Sequence, residues 1–283
     1  MLVTPIKYAH GTAEGITEGG VRRFLSLPYA APLTQERRFR EPQPVESWQG
    51  IRDATVAGPC APQPVPPPAE IDLSSLMGPT VAPGPDYLTL NVFAPDRDPA
   101  GLPVMVFIHG GSFIAGSKGV PIYDGSAFAR DGVVCVVINY RVGIEGFLPI
   151  PGVPTNLGLR DVIAALHWVQ SHIPAFGGDP RNVTLFGESG GAWCIAGLMA
   201  SPLVAGLFQR AICQSGHAYG ARPNALMQRL VKRLAKRLKI PATREGFLSK
   251  TPEEMLPALE WVMKPNLFFD MRDEERRECI ERG

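Results

Sequence analysis

The chain is predicted to be α/β, with a mostly parallel central sheet carrying helices on both faces, and three observations lead there. Two near-continuous apolar runs, "VMVFIHGG" (104–111) and "VVCVVINYR" (133–141), have the pattern of strands buried on both sides. Helical and strand patterns then alternate from "LGLRDVIAALHWVQSHI" (157–173) through "NVTLFGE" (182–188) and "SGGAWCIAGLMA" (189–200) to "RAICQSG" (210–216), which calls for right-handed crossovers. At 283 residues, 45% hydrophobic and 19% charged, the chain can bury a sizeable core.

Taken in order, residues 1–58 mix short apolar runs with Gly and Pro, and "RRFLSLPYA" (22–30) predicts an antiparallel entry hairpin. Nine prolines between Pro59 and Pro85 forbid a helix or a central strand, so 59–85 reads as a long surface loop. "YLTLNVFAP" (87–95) reads as an alternating strand ahead of the two apolar runs. Leu159, Val162, Ile163, Leu166 and Val169 fall at helical spacing, and Pro174 ends that helix. Residues 224–239 predict an amphipathic helix with Leu226, Leu230, Leu234 and Leu238 on one stripe and six Lys or Arg elsewhere. Further helices are expected around Pro252–Met263 and Asp270–Arg282, all within one domain over residues 1–283.

A net charge of +1 supplies no field for nucleic acid or acidic partners. No window of about 18 uninterrupted apolar residues occurs, and the basic face of 224–239 reads as solvated rather than membrane-bound. The start "MLVTPIKYAHGT" lacks signal-peptide features, so a cytoplasmic location is expected. Cys60, Cys135, Cys194, Cys213 and Cys279 are scattered without C-x-x-C spacing and read as buried thiols. No H-E-x-x-H, dinucleotide or Walker pattern appears, so neither metal nor organic cofactor is expected.

The chemistry concentrates at "VTLFGESGGAW" (183–193). A lone G-x-S-x-G is weak evidence, but here Gly187-Glu188-Ser189-Gly190-Gly191 joins an apolar strand to a helix, the strand–turn–helix setting of a nucleophile elbow. Such a turn strains the serine, its glycines admit neighbouring segments, and the helix N-terminus favours developing negative charge. Acyl transfer also needs donors aimed at an oxyanion; "HGGSF" (109–113) offers the N–H groups of Gly110 and Gly111, and Ala192 offers a third from the elbow. His109 reads as a support of that loop rather than a general base.

With these motifs placed, the chain resembles the type-B carboxylesterases of the α/β-hydrolase fold, the family of bacterial para-nitrobenzyl esterases and the cholinesterases. The likeness runs over roughly residues 7–217, through "LSLPYAAPLTQERRFREPQP", "YLTLNVFAP", "PVMVFIHGGSF", "YDGSAFARDGVVCVVINYRVGIEGF", "NLGLRDVIAALHWVQSHIPAFGGDPRNVTLFGESGGA" and "AICQSG". It implies a serine carboxylesterase acting on small-molecule esters, with Ser189 the nucleophile, Gly110, Gly111 and Ala192 the oxyanion donors, and Ser215 a hydroxyl near the triad acid. The family's frequent E-D-C-L reads with Tyr87 in the cysteine's place, so the loop opening at Cys60 is expected to lack that staple and to be more mobile.

In this fold, acid and histidine follow the nucleophile in the chain. Past Ser189 the sequence has one histidine, His217, which follows a strand directly and reads as a pocket or loop residue rather than the base. Glu188 adjoins the serine, where side chains diverge, and reads as structural. His10, His167 and His172 precede the serine, the last two on a packing helix. Since the family's chains run to about twice this length, the resemblance implies an N-terminal portion whose acid and histidine lie on a further C-terminal polypeptide or segment. A non-catalytic cholinesterase-like interaction module is the alternative, although such modules typically lose the serine; an amidase or lipase on the same machinery is a third reading.

Overall fold

The computed structural model describes residues 2–64, 82–96, 100–218 and 222–262. Most of the proline-rich loop with its expected mobility, the charged helix near Asp270–Arg282, and Cys279 lie outside them.

The described residues form one mixed sheet, in the order β1-β2-β3-β5-β7-β6-β8-β9, with β4 beside β2. Its first part is an antiparallel meander of β1 (Leu2–Tyr8), β2 (Gly11–Glu18) and β3 (Val21–Pro28), one strand more than the expected hairpin. The short β4 (Ile51–Asp53) runs parallel to β2. β5 (Thr89–Pro95) lies antiparallel between β3 and β7, and all seven of its residues are buried. Its sequence alternation therefore does not mark a solvent face: Thr89 and Asn91 are polar residues inside the sheet, and Asn91 Oδ1 accepts the Ser26 N–H at 3.0 Å.

The two apolar runs become β6 (Leu102–Ile108) and β7 (Val134–Ile138), parallel neighbours, and β8 (Gly178–Glu188) and β9 (Arg210–Gln214) extend the parallel part. Between strands come α1 (Ser126–Arg130), α2 (Gly143–Phe147), α3 (Leu157–His172) and α4 (Gly190–Met199). Val104, Val106, Ile108, Val134, Val136 and Ile138 face α3 and α4, while Met105, Phe107, Cys135 and Val137 face Phe128 and Ala129 of α1. Helices thus occupy both faces, and the period of two along each strand divides the core.

After β9 come α5 (Asn224–Leu238), α6 (Arg244–Leu248) and α7 (Pro252–Val262). The leucine stripe of α5 packs as expected: Leu226 and Leu234 are buried, and Leu230, Leu234 and Leu238 join a separate cluster with Phe247, Met255 and Leu259. Among the described residues no helix is long and apolar enough to cross a membrane. Cys60, Cys135 and Cys194 are buried; Cys213, expected to be buried, is exposed because among the described residues β9 borders the sheet, with Arg210, Ile212, Cys213 and Gln214 all open to solvent.

Arg141, just after β7, and Asp161 of α3 form an ion pair with both side chains fully buried. Arg141 Nε and Nη2 reach the two carboxylate oxygens at 2.7 and 2.6 Å, its backbone N–H adds a bond of 3.0 Å, and Nη1 donates to Arg40 O at 2.6 Å. Arg38 and Glu145 make a second buried pair. In both pairs each charge meets its opposite through a directional bond, as burial demands.

Candidate active site

β8 ends at Glu188 and α4 begins at Gly190, so Ser189 alone makes the turn, with φ +51° and ψ −117°. A side-chain-bearing residue held there stores strain on the order of 1–3 kcal/mol, tolerated only where the surroundings over-determine it. They do: Ser189 N–H donates to Gln214 O at the end of β9 (2.8 Å), and Ser189 O accepts from Trp193 N–H (3.1 Å). Close approach requires Gly191, where a β-carbon would fall 1.9 Å from Ile108 O of β6.

The loop after β6 closes over this turn. A β-carbon on Gly110 would lie 3.2 Å from Ser189 Cβ and 2.7 Å from Glu188 Oε2, and one on Gly190 would lie 3.3 Å from Ser112 N. Gly111, Ser112 and Phe113 all have positive φ (+110°, +55°, +65°), which curls the chain tightly. The curl occupies its own carbonyls. Tyr140 OH donates to His109 O (2.8 Å), His109 Nδ1 to Gly110 O (2.8 Å), Ile114 and Ala115 N–H to Gly111 O (3.0 Å each), and Gly143 N–H to Phe113 O (2.6 Å).

With the carbonyls committed elsewhere, no hydrogen bond among the described residues uses the N–H of Gly110 or Gly111. In α4 the first i→i−4 bond comes from Trp193, so Ala192, one residue earlier, has no acceptor within the helix. Three backbone donors near a strained serine, at the positive end of a helix, form a region receptive to developing negative charge.

The remaining residues named from sequence divide. Glu188 is exposed, yet its carboxylate lies beneath Gly110, and burial together with Glu188's charge raises the Tyr123 phenol. Ser215 is exposed at φ +53°, directly after the Gln214 carbonyl that holds Ser189. His217 is exposed, its ring centroid 5.3 Å from that of Trp193. His109 is fully buried, stacked on Tyr140 with centroids 4.4 Å apart, and burial pulls its imidazole down to about 4. A neutral, loop-supporting histidine is the result. His167 points to solvent from α3, and His172 packs with Tyr8, His10 and Trp168.

Sequence reasoning missed Tyr140, Gly143 and Gln63, which hold the loop from outside. It also missed the wall beside the serine, where Phe113 packs at 4.7 Å from Phe147 and 5.9 Å from Trp193. Only the aromatic in "HGGSF" and the Trp after "GESGGA" could have hinted at that wall.

The family model described as "Carboxylesterase family" matches residues 3–271. The chain is 42% identical over 273 residues to a para-nitrobenzyl esterase of Bacillus subtilis, covering 92% of this chain and 54% of that protein. To a phenmedipham hydrolase of Pseudarthrobacter oxydans it is 43% identical over 230 residues, covering 80% of this chain and 45% of the other. A solved para-nitrobenzyl esterase structure superposes with a TM-score of 0.84 at 39% identity over 91% of this chain and 53% of its own. The fold is therefore that of the α/β-hydrolases, and the chain spans about half the length of the curated relatives it matches.

Proposed function

The chain belongs to the carboxylesterase family, and from that premise we propose that it carries the nucleophile and oxyanion hole of a serine carboxylesterase whose triad acid and histidine come from a C-terminal polypeptide or segment outside these residues. The observation that carries this reading is the meeting of Ser189, strained at the end of β8, with backbone N–H groups that the described residues leave unused.

The strained turn holds Ser189 against Gly110 of the loop after β6. Once a histidine takes its proton, the oxygen adds to an ester carbonyl, whose oxygen becomes an anion and moves among the N–H groups of Gly110, Gly111 and Ala192. Collapse expels the alcohol with the proton the histidine holds and leaves an acyl-serine. Water, deprotonated by the same histidine, repeats the addition and releases the acid. His109 has no part in these transfers, because its Nδ1 is bonded to Gly110 O and its ring is buried against Tyr140. Phe113, Phe147 and Trp193 give an apolar wall suited to a small-molecule ester, in keeping with relatives whose names are those of esterases.

A fluorophosphonate reacts covalently with an activated serine. Supplied with the completing C-terminal polypeptide, the chain should be labelled at Ser189, and Ser189→Ala should abolish para-nitrophenyl ester turnover. Adduct on another serine, or unchanged turnover in that variant, overturns the assignment; a folded complete protein with neither labelling nor turnover points instead to a non-catalytic interaction module.

A further inference from the structure

We propose that Gln63 is a positioning residue for the oxyanion hole, an inference that rests on the esterase reading and adds a residue to it. Gln63 is buried at 8% exposure, and its amide grips a single glycine from both sides. Oε1 accepts the Gly116 N–H at 2.8 Å, while Nε2 donates to Gly116 O at 3.1 Å and to Ala61 O at 3.1 Å. Two opposed bonds to one residue fix both its position and the rotation of its flanking peptides, which apolar packing would leave free.

Gly116 in turn sits flush on the donor segment. At φ +113°, a β-carbon placed on it would fall 2.2 Å from His109 Nδ1 and 2.4 Å from Gly110 O, so Gly116 backs directly onto the peptide that carries the Gly111 N–H. The same stretch is tied again two residues on: Lys118 N–H donates to Asn139 Oδ1 (2.7 Å), and Asn139 Nδ2 donates to Pro59 O (3.2 Å). Tyr140 and Gly143 hold the loop from the sheet side, and Gln63 holds it from the segment that opens the proline-rich loop. Releasing Gly116 lets the peptide at Gly110 and Gly111 rotate without removing either donor. The nucleophile is untouched, so the cost falls on the transition state.

The test uses the chain assembled with the polypeptide that completes it, with sites counted by fluorophosphonate titration. Gln63→Ala should lower kcat by about 10- to 100-fold, less than the ~10²–10³ of a lost donor, and should weaken a trifluoromethyl ketone, which forms an oxyanion adduct, by the same factor. KM should stay within about twofold, the pattern of an interaction felt only in the transition state. Hydrogen exchange in the 283-residue chain itself should quicken over residues 110–116.

Gln63→Glu keeps the acceptor for Gly116 N–H but sets a carboxylate oxygen against two carbonyls. Its kcat relative to the parent should recover as pH falls from about 8 to about 5 and the carboxyl regains a proton to donate. A purely structural role lowers the number of titrated sites without moving kcat per site, ketone affinity or that pH profile. If Gln63→Ala does not fold, the same three readouts on Gln63→Glu decide the matter. Parent-like kcat per site and ketone affinity, in a parent assembly that turns over, overturn this proposal alone. A folded parent assembly that is neither labelled nor active overturns the esterase reading and this proposal with it.

Discussion

Acid should loosen this fold from within the loop that follows β6, through His109. Its Nδ1 donates to Gly110 O at 2.8 Å, and its Nε2 is buried without a hydrogen-bond partner. A second proton would therefore place both a charge and an unanswered N–H in the core. Burial holds the folded imidazole at about 4 against an ordinary 6.5. Because the folded value is the lower, the unfolded chain binds more protons as pH falls: the stabilisation is whole above 6.5 and is lost as pH drops from there towards 4. At about 1.4 kcal/mol per unit, the full difference is about 3 kcal/mol, of which about 2 kcal/mol is gone by about pH 5. Urea unfolding at about pH 7.5, 6 and 5 measures it. The control is His109→Asn, whose amide can still reach Gly110 O but does not titrate in this range. His10 and His172, also pulled down by burial, remain in both proteins and cancel in the comparison. The parent should lose about 2 kcal/mol more than the variant between about pH 7.5 and about pH 5. Parallel pH profiles, or an imidazole signal from His109 titrating near 6.5, would refute the argument.

Three further outcomes are expected. Asp161→Ala strands the Arg141 guanidinium in the core and should cost about 3–5 kcal/mol of unfolding free energy, while Arg141→Met with Asp161→Leu should recover most of it; equal losses in the single and double variants would contradict this. Gly110→Ala places a β-carbon 2.7 Å from Glu188 Oε2 and should lower kcat of the completed esterase by about 10²-fold or more with the fold retained; near-parent kcat would remove Gly110 from the donor set. Residues 1–283 alone should not turn over para-nitrophenyl acetate; turnover that vanishes in His217→Ala would make His217 the base.

What was legible in the sequence is what is local. The runs at 104–111 and 133–141 announce buried strands because both faces are apolar, and the elbow is readable because its glycines, its serine and the strand before it lie within one short stretch. The proposed donors are backbone N–H groups, which a sequence marks only through the glycines beside them. The contacts that hold the loop after β6 and the buried ion pair were not legible, because they join distant positions: Tyr140 reaches back to His109, Gln63 to Gly116, and Asp161 to Arg141. No periodicity encodes such pairings. β5 was legible as a strand, but not that its polar positions are satisfied inside the sheet rather than by water. Helix α6 was missed although Thr243 caps it by accepting the Gly246 N–H and Glu245 lies in its first turn; five residues are too few for a period to show.

The backbone of Ser189 hangs from Gln214, and Gln214 is an exposed residue of the strand at the border of the sheet. The parts of the turn thus differ in tenacity: β6 and β8 are locked in the interior, whereas β9, which among the described residues pairs with β8 alone, can fray at its other side. Mild heating would detach Gln214 while the interior strands remain paired, and the serine would relax out of its strained conformation without any global melting. Heat inactivation should then run ahead of the loss of secondary structure, and a polypeptide that pairs with β9 would protect the shape of the turn at Ser189.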